Sequence, residues 1–204
     1  MTKVLVVLPN NLGDVIMALP VLEGIKKKYG SQIHYFVEKG YEGGLHYSNN
    51  CDKVIIFDRI TIRDLIRTPA WKDSKESLRT FIHNLQSEQY YRVINLAQHS
   101  YIPYLITLIN GKENLGRTFL RDGNYSIQDR WSQYLYAIPF SRHYNKLHAT
   151  DIYRRIAGVE DIPCTQYFTI SDKRKHDSVE LLKSKGITSF DKILIFQPGA
   201  AYSS

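Results

Sequence analysis

Runs of unbroken apolar residues alternate along this chain with stretches in which apolar side chains recur every three or four positions. The runs cover residues 4–8, 33–37, 54–57, 93–96 and 193–196, are rich in Val, Ile and Leu, and each closes on a turn or a polar residue. Continuous apolarity marks strands covered on both faces, as in a parallel sheet. After Asp14, the positions Val15, Ala18, Leu19, Leu22, Ile25 and Tyr29 make one helical stripe. Lys26, Lys27 and Lys28 fall near its end, where cations suit the helix dipole, and Pro20 is expected to kink it.

Further helices are predicted over 61–69, 75–88, 127–137, 147–157 and 173–185, the last closed by Gly186. Strand and helix in alternation predict an α/β fold, a Rossmann-like parallel sheet with helices on both faces. Residues 158–169, with Pro163, read as a linker out of this domain. The division is therefore 1–170 for the first domain, then 171–204 for a linker helix and the truncated start of a second. The strand at 193–196 has nothing after it to cover it, which predicts a fragment of a larger protein or a truncated gene product.

Composition narrows the partners. The 204 residues hold 27 Lys and Arg against 20 Asp and Glu, a net charge of +7, which favours acidic partners: phosphorylated glycans, nucleotides, nucleic acid or an anionic lipid surface. No nucleic-acid motif accompanies the Tyr-rich stretch at 131–144, so packing is the better reading of it and nucleic acid is not expected. Cys51 and Cys164 form no metal-ligand pattern, which suits a reducing cytosol, although a disulfide between them stays open. The start has too short an apolar run for a secretory leader, and the apolar stretch 93–109 carries Asn95, Gln98, His99 and Pro103. A soluble cytoplasmic protein is expected.

The chemistry concentrates in "NNLGD", residues 10–14. In a parallel α/β sheet the loop after the first strand lies at the carboxyl edge, where ligands bind, and the next helix turns free N–H groups to that crevice. Asp14 stands at the head of that helix, an anion favoured by the dipole and placed to accept a proton from a bound hydroxyl. It could equally just cap the helix. A dinucleotide loop is disfavoured: Glu38 ends the second strand where a ribose-binding acid would sit, but no G-x-G-x-x-G exists. Downstream, Arg59, Arg63 and Arg67 share a helix face, with Lys72 close after. That stripe suits phosphates, or is a solvated face paired to Asp58 and Asp64.

The run "LPNNLGDVIMALPVLEGIKKKYG" resembles the amino-terminal signature of glycosyltransferase family 9, the lipopolysaccharide heptosyltransferases. "YFVEKGY" (35–41), "YYRVINL" (90–96), "LGRTF" (115–119), "HATDIYRRIAG" (148–158) and "IFQPGAAYSS" (195–204) fit in the same order, so the resemblance covers the whole chain. "YFVEKGY" is most similar to the enzymes adding the first inner-core heptose.

The resemblance implies the amino-terminal domain of a GT-B glycosyltransferase plus the first strand of the second domain. The activity implied is inverting, metal-independent transfer of heptose from ADP-heptose to the Kdo-lipid A inner core, without a cofactor. Asp14 matches the catalytic base. Asn11, Gly13, Arg59, Arg63, Arg67, Lys72 and Arg117 fall on the acceptor side, Arg121 more weakly, and Ser203 and Ser204 on the donor side. The family commonly has Arg where Asn11 stands, so the contact made by that Arg is missing here or supplied otherwise. His148 and Asp151 match a segment of structural or acceptor-side residues. The implied partners are a nucleotide-sugar donor, a phosphorylated glycolipid acceptor and the anionic inner membrane, touched peripherally. The alternative is a non-catalytic module holding an acidic glycolipid or nucleotide.

Overall fold

The computed structural model describes every residue except 10, 67, 69, 70, 121, 166, 167, 189, 190, 195 and 197–204, and all described side chains but those of 65 and 66. Two compact units divide the chain, Met1–Thr169 and Ile170–Ser204. In the first, β1 (Lys3–Val7) leads through α1 (Leu12–Tyr29) to β2 (Gln32–Glu38). A 3-10 turn at Glu42–Tyr47 precedes β3 (Lys53–Phe57), followed by α2 (Arg59–Ile66) and α3 (Trp71–Ser87). β4 (Arg92–Asn95), α4 (Ile102–Ile109) and β5 (Glu113–Leu115) come next, then a hairpin of β6 (Arg117–Phe119) and β7 (Tyr125–Ile127). α5 (Arg130–Ala137) and α6 (Ala149–Ile156) complete the unit.

The five strands β1–β5 are parallel, in the order 3-2-1-4-5. Right-handed crossovers from β1 run one way and those after β3 the other, which places helices on both faces. α1, α5 and α6 pack together on one face; α2, α3 and α4 cover the other. Strands walled in on two sides must be apolar throughout: Leu5, Val6, Val7, Ile33, Tyr35, Phe36, Val37, Val93 and Ile94 are fully buried.

The predicted helices form with shifted ends, and α1 continues through Pro20. Residues 158–164 do not behave as a linker. Val159 is fully buried, and a Cβ on Gly24 would come within 2.7 Å of its side chain, so α1 carries glycine where this segment crosses. Arg154 donates to the carbonyls of Val159 and Glu160 at 3.2 and 3.0 Å, and Lys28 to that of Gly158 at 2.7 Å. In the second unit, α7 (Asp172–Ser184) is capped by the Ser171 hydroxyl, which accepts from the Arg174 amide. Residues 192–194 carry no strand assignment, and the rest of the strand expected over 193–196 includes residue 195, outside the described residues. Both cysteines are free; burial pushes the Cys51 thiol up to about 11.

Two features fix the sheet from its ends. At the amino edge, Glu88 accepts from Lys3 of β1 at 2.6 Å and Lys53 of β3 at 2.5 Å, and these ammonium groups hold its carboxyl down to about 2, against an ordinary 4.5. At the carboxyl edge, Gly116 has φ +93°, and a Cβ there would meet the Asn95 carbonyl oxygen at 2.3 Å. Because the Glu88 carboxyl is depressed on folding, its contribution is complete above about pH 4.5 and is lost as pH falls towards 2. Glu88→Gln is expected to cost about 1–2 kcal/mol at pH 7 by urea unfolding, with the gap to wild type closing below pH 4; a gap independent of pH refutes this. Gly116→Ala is expected to cost about 2 kcal/mol or more in the same assay, because neither its φ nor the backbone contact admits a methyl group.

Candidate functional site

The reversal of strand order between β1 and β4 opens a crevice at the carboxyl edge, the place where open α/β sheets take ligands. Backbone bonds draw its rim together. The Leu96 amide donates to the Val7 carbonyl at 2.9 Å, and the Glu38 amide to the Pro9 carbonyl at 2.7 Å, so the loop after β1 lies between the ends of β2 and β4.

That loop enters α1 through Asn11, the N-cap, at φ 65°, ψ 122°. A non-glycine residue there carries strain of order 1–3 kcal/mol, and Asn is among the types that tolerate it best. The Asn11 side chain makes no capping bond to the helix amides. Its Nδ2 donates instead to Asp14 Oδ2 at 3.1 Å. Asp14, third in the helix, is half-buried and does not serve as the N-cap. The amides of the first turn are thus left without a side-chain cap from Asn11. Gly13 has open space where a Cβ would stand and no positive φ. The fold does not require glycine there, and its bareness leaves the backbone of the turn approachable.

Behind Asp14 lie two buried phenols. Burial raises Tyr35 well above its ordinary value, with the Asp14 charge adding to it, and burial with the Asp14 charge raises Tyr153. The Tyr35 hydroxyl has no hydrogen-bond partner among the described residues. Both phenols therefore stay protonated in the physiological range, and beside them this wall presents the carboxylate of Asp14. α6 is fixed beside it by Thr150, whose hydroxyl donates to the Met17 carbonyl at 3.1 Å. His148 caps α6, its Nδ1 accepting from the Thr150 amide at 3.3 Å, and Asp151 is exposed in the first turn.

Glu38, at the end of β2, is buried and engaged by the protein itself. Its Oε1 accepts from Arg59 Nε at 2.7 Å and from the Tyr101 hydroxyl in a short bond. Burial and the Glu38 carboxylate together raise the Tyr101 phenol. Both bonds fall on the one oxygen, so this acid holds α2 and the residue before α4 together from within the protein. Arg59, expected to pair with Asp58 if with anything, is held by Glu38 instead; Asp58 pairs with Lys39 at 2.7 Å. Arg63 does pair locally, to Asp64 at 2.9 Å, with both side chains about half exposed at 49% and 56%. Lys72 is exposed on α3, its ammonium 5.9 Å from the Trp71 ring centroid. Arg67, Arg121, Ser203 and Ser204 lie outside the described residues.

Across the crevice, Asn95 ends β4 almost completely buried. Its Oδ1 accepts from the Ala97 amide at 2.9 Å and its Nδ2 donates to the Arg117 carbonyl at 2.8 Å, which seats the hairpin against the β4 loop. The Arg117 guanidinium is sandwiched, 3.5 Å from the Tyr125 ring centroid and 4.9 Å from that of Tyr136. Tyr136 is anchored in turn by donating to the Ala97 carbonyl. This arginine is a pre-positioned cation rather than a free surface charge. Sequence reasoning missed Tyr101, Asn95, Tyr125 and Tyr136; the signal for Asn95 was a lone polar residue closing an apolar strand. Among the described residues no three His, Cys, Asp or Glu side chains come together as a metal would require, and no helix is long and apolar enough to cross a membrane.

No family model and no curated protein matches the sequence. Solved structures do match the fold. The chain superposes on a family 9 glycosyl transferase from Veillonella parvula DSM 2008 with a TM-score of 0.72 at 22% identity, over 98% of this chain and 55% of that one. The E. coli heptosyltransferase WaaC with ADP gives 0.58 at 18% identity, over 91% and 66%. E. coli ADP-heptose lps heptosyltransferase II gives 0.55 at 13% identity, over 92% and 52%. The chain thus spans about half the length of the first of these. Likenesses at such identities speak for the fold: this chain has the Rossmann-like α/β architecture found in GT-B glycosyltransferases.

Proposed function

We propose that this chain is the acceptor-binding half of an inverting glycosyltransferase that moves a heptose from ADP-heptose to a phosphorylated Kdo-lipid A inner core. The observation carrying the proposal is Asp14: a carboxylate in the first turn of α1, backed by buried phenols that stay neutral, at the crevice of a fold shared with family 9 glycosyltransferases. Inverting displacement needs a base beside the attacking hydroxyl and stabilisation of the departing diphosphate. Asp14 supplies the base. Asn11 orients it, and uncovered Gly13 lets the acceptor approach. Arg117, Arg63 and Lys72 offer cations to the acceptor's phosphates, with Arg59 and Arg67 completing the stripe. The WaaC structure holding ADP motivates the donor. Donor contacts then belong to a second half, to which Ser203 and Ser204 lead, without a metal or cofactor. The net charge of +7 suits work at the anionic cytoplasmic face of the inner membrane.

Calorimetry on this chain and transfer assays on the full-length protein test the reading separately. Asp14→Asn is expected to lower transfer by about 10²–10⁴-fold while acceptor binding stays within about twofold; near-normal turnover excludes the base assignment. If the wild-type full-length protein binds the acceptor and transfers nothing, the non-catalytic module is the right description. Arg63→Glu is expected to weaken acceptor binding about tenfold in 0.05 M salt and much less in 0.5 M, as screening dictates; an unchanged affinity makes α2 a solvated face.

A further inference from the structure

On the face of the sheet away from α1, a cleft of about 510 Å³ opens between α2, α3 and α4. One stripe of each helix builds it. α4 with its preceding residue supplies Tyr101, Tyr104, Leu105 and Leu108, spaced i, i+3, i+4, i+7 along about 10 Å of helix. α3 faces them with Leu78 and Ile82. α2 closes the top with Ile62 between Arg59 and Arg63. The lining is otherwise hydrocarbon and ring, and its volume is in the range of small-molecule sites. Tyr104 and Leu108 each remain 48% exposed, so among the described residues of this unit α4 shows an apolar flank. The cleft is polarised: its cations stand at the end where β3 runs into α2, the carboxyl edge that also carries Asp14, and its apolar body runs down α4 towards Leu108. Both arginines make their ion pair through Nε, and a guanidinium has further N–H donors on its terminal nitrogens.

We infer that this cleft binds the hydrocarbon chain of an anionic amphiphile whose phosphate sits at Arg63 and Arg59. Charge complementarity selects this occupant: the Asp64 partner of Arg63 is 56% exposed and readily exchanged for a phosphate, and both guanidinium groups keep terminal N–H donors for it. The inference rests on the glycolipid-acceptor reading and deepens it, assigning the acyl part of the acceptor to α3 and α4 while the sugar reaches the crevice.

The test is calorimetry of this chain with ethyl, hexyl and decyl phosphate below their micelle-forming concentrations, beside inorganic phosphate and a deacylated phosphorylated Kdo glycan. Affinity is expected to rise several-fold for each methylene buried and to level off once the cleft is full. Leu108→Glu, at an exposed position, is expected to weaken decyl phosphate at least tenfold and leave the deacylated glycan unchanged. Arg63→Glu is expected to weaken both. Equal affinities for inorganic, ethyl and decyl phosphate in the wild-type chain overturn the inference, as does an undiminished affinity in Leu108→Glu. Self-association abolished by Leu108→Glu, without decyl phosphate binding, also overturns it and makes the flank a contact between copies. Binding of decyl phosphate but not of the glycan upholds the cleft and refutes the heptosyltransferase reading; the converse refutes the cleft alone.

Discussion

Everything at the candidate site hangs from the backbone of β1 where it leaves the sheet. Val7 and Pro9 give their carbonyls to the neighbours on either side, to Leu96 after β4 and to Glu38 closing β2. A parallel sheet sends all its carboxyl ends to one edge, and the order 3-2-1-4-5 makes the connections diverge there, so the chain after β1 has no choice but to cross the opening. Five apolar residues, buried because sheet neighbours and two helix layers enclose them, thereby deliver a polar loop to one position. The strained backbone of Asn11 and the bare Gly13 make sense there and nowhere else in α1.

The rim is assembled from polar groups that satisfy one another before any ligand arrives. Asn95 joins the β4 loop to the hairpin, and Glu38 joins α2 to the head of α4 through Arg59 and Tyr101. Buried acids and amides of this kind are costly when a partner is lost, because the remaining group stays desolvated. They serve to hold geometry. The Arg117 sandwich between Tyr125 and Tyr136 follows from them, since the hairpin that carries Arg117 is placed by Asn95 and Tyr136 is placed by Ala97.

Where a segment's local pattern agreed with its tertiary setting, it could be read directly. β1, β2, β4 and α1 are long apolar runs or stripes, and their burial follows from composition alone; the run 54–57 was expected to be covered on both faces, but β3 is an edge strand and leaves Val54 and Ile56 exposed. β5 escaped because three residues, Glu113–Leu115, carry too little pattern, and its strand state comes from pairing with β4. α4 escaped because "IPYLITLI" is apolar on every side, so its period is invisible; its flank at Tyr104 and Leu108 shows why, being neither core nor ordinary surface. Residues 158–164 look like a linker in Gly and Pro content, yet Val159 is core, and the signal was Gly24, a helix-interior glycine 135 positions away that no local reading connects with it. Asp14 was legible by position, whereas the phenols behind it depended on strand register and the packing of α6.

The arginine stripe divides by burial, and that division has a functional consequence. Arg59 and Arg63 look equivalent at four-residue spacing, but the Glu38 side chain is 8% exposed and that of Asp64 is 56% exposed. Pulling Arg59 from Glu38 leaves a buried carboxylate with the Tyr101 hydroxyl but without its cation, which costs more than separating an exposed pair. Pulling Arg63 from Asp64 costs a few tenths of a kcal/mol, because water solvates both groups. An arriving phosphate therefore competes on favourable terms only for Arg63, while Arg59 contributes its charge and remaining donors from a fixed seat. One helix face thus presents an anchored cation beside an exchangeable one, next to an apolar cleft, and under the proposed reading the exchangeable cation is the one that meets the headgroup.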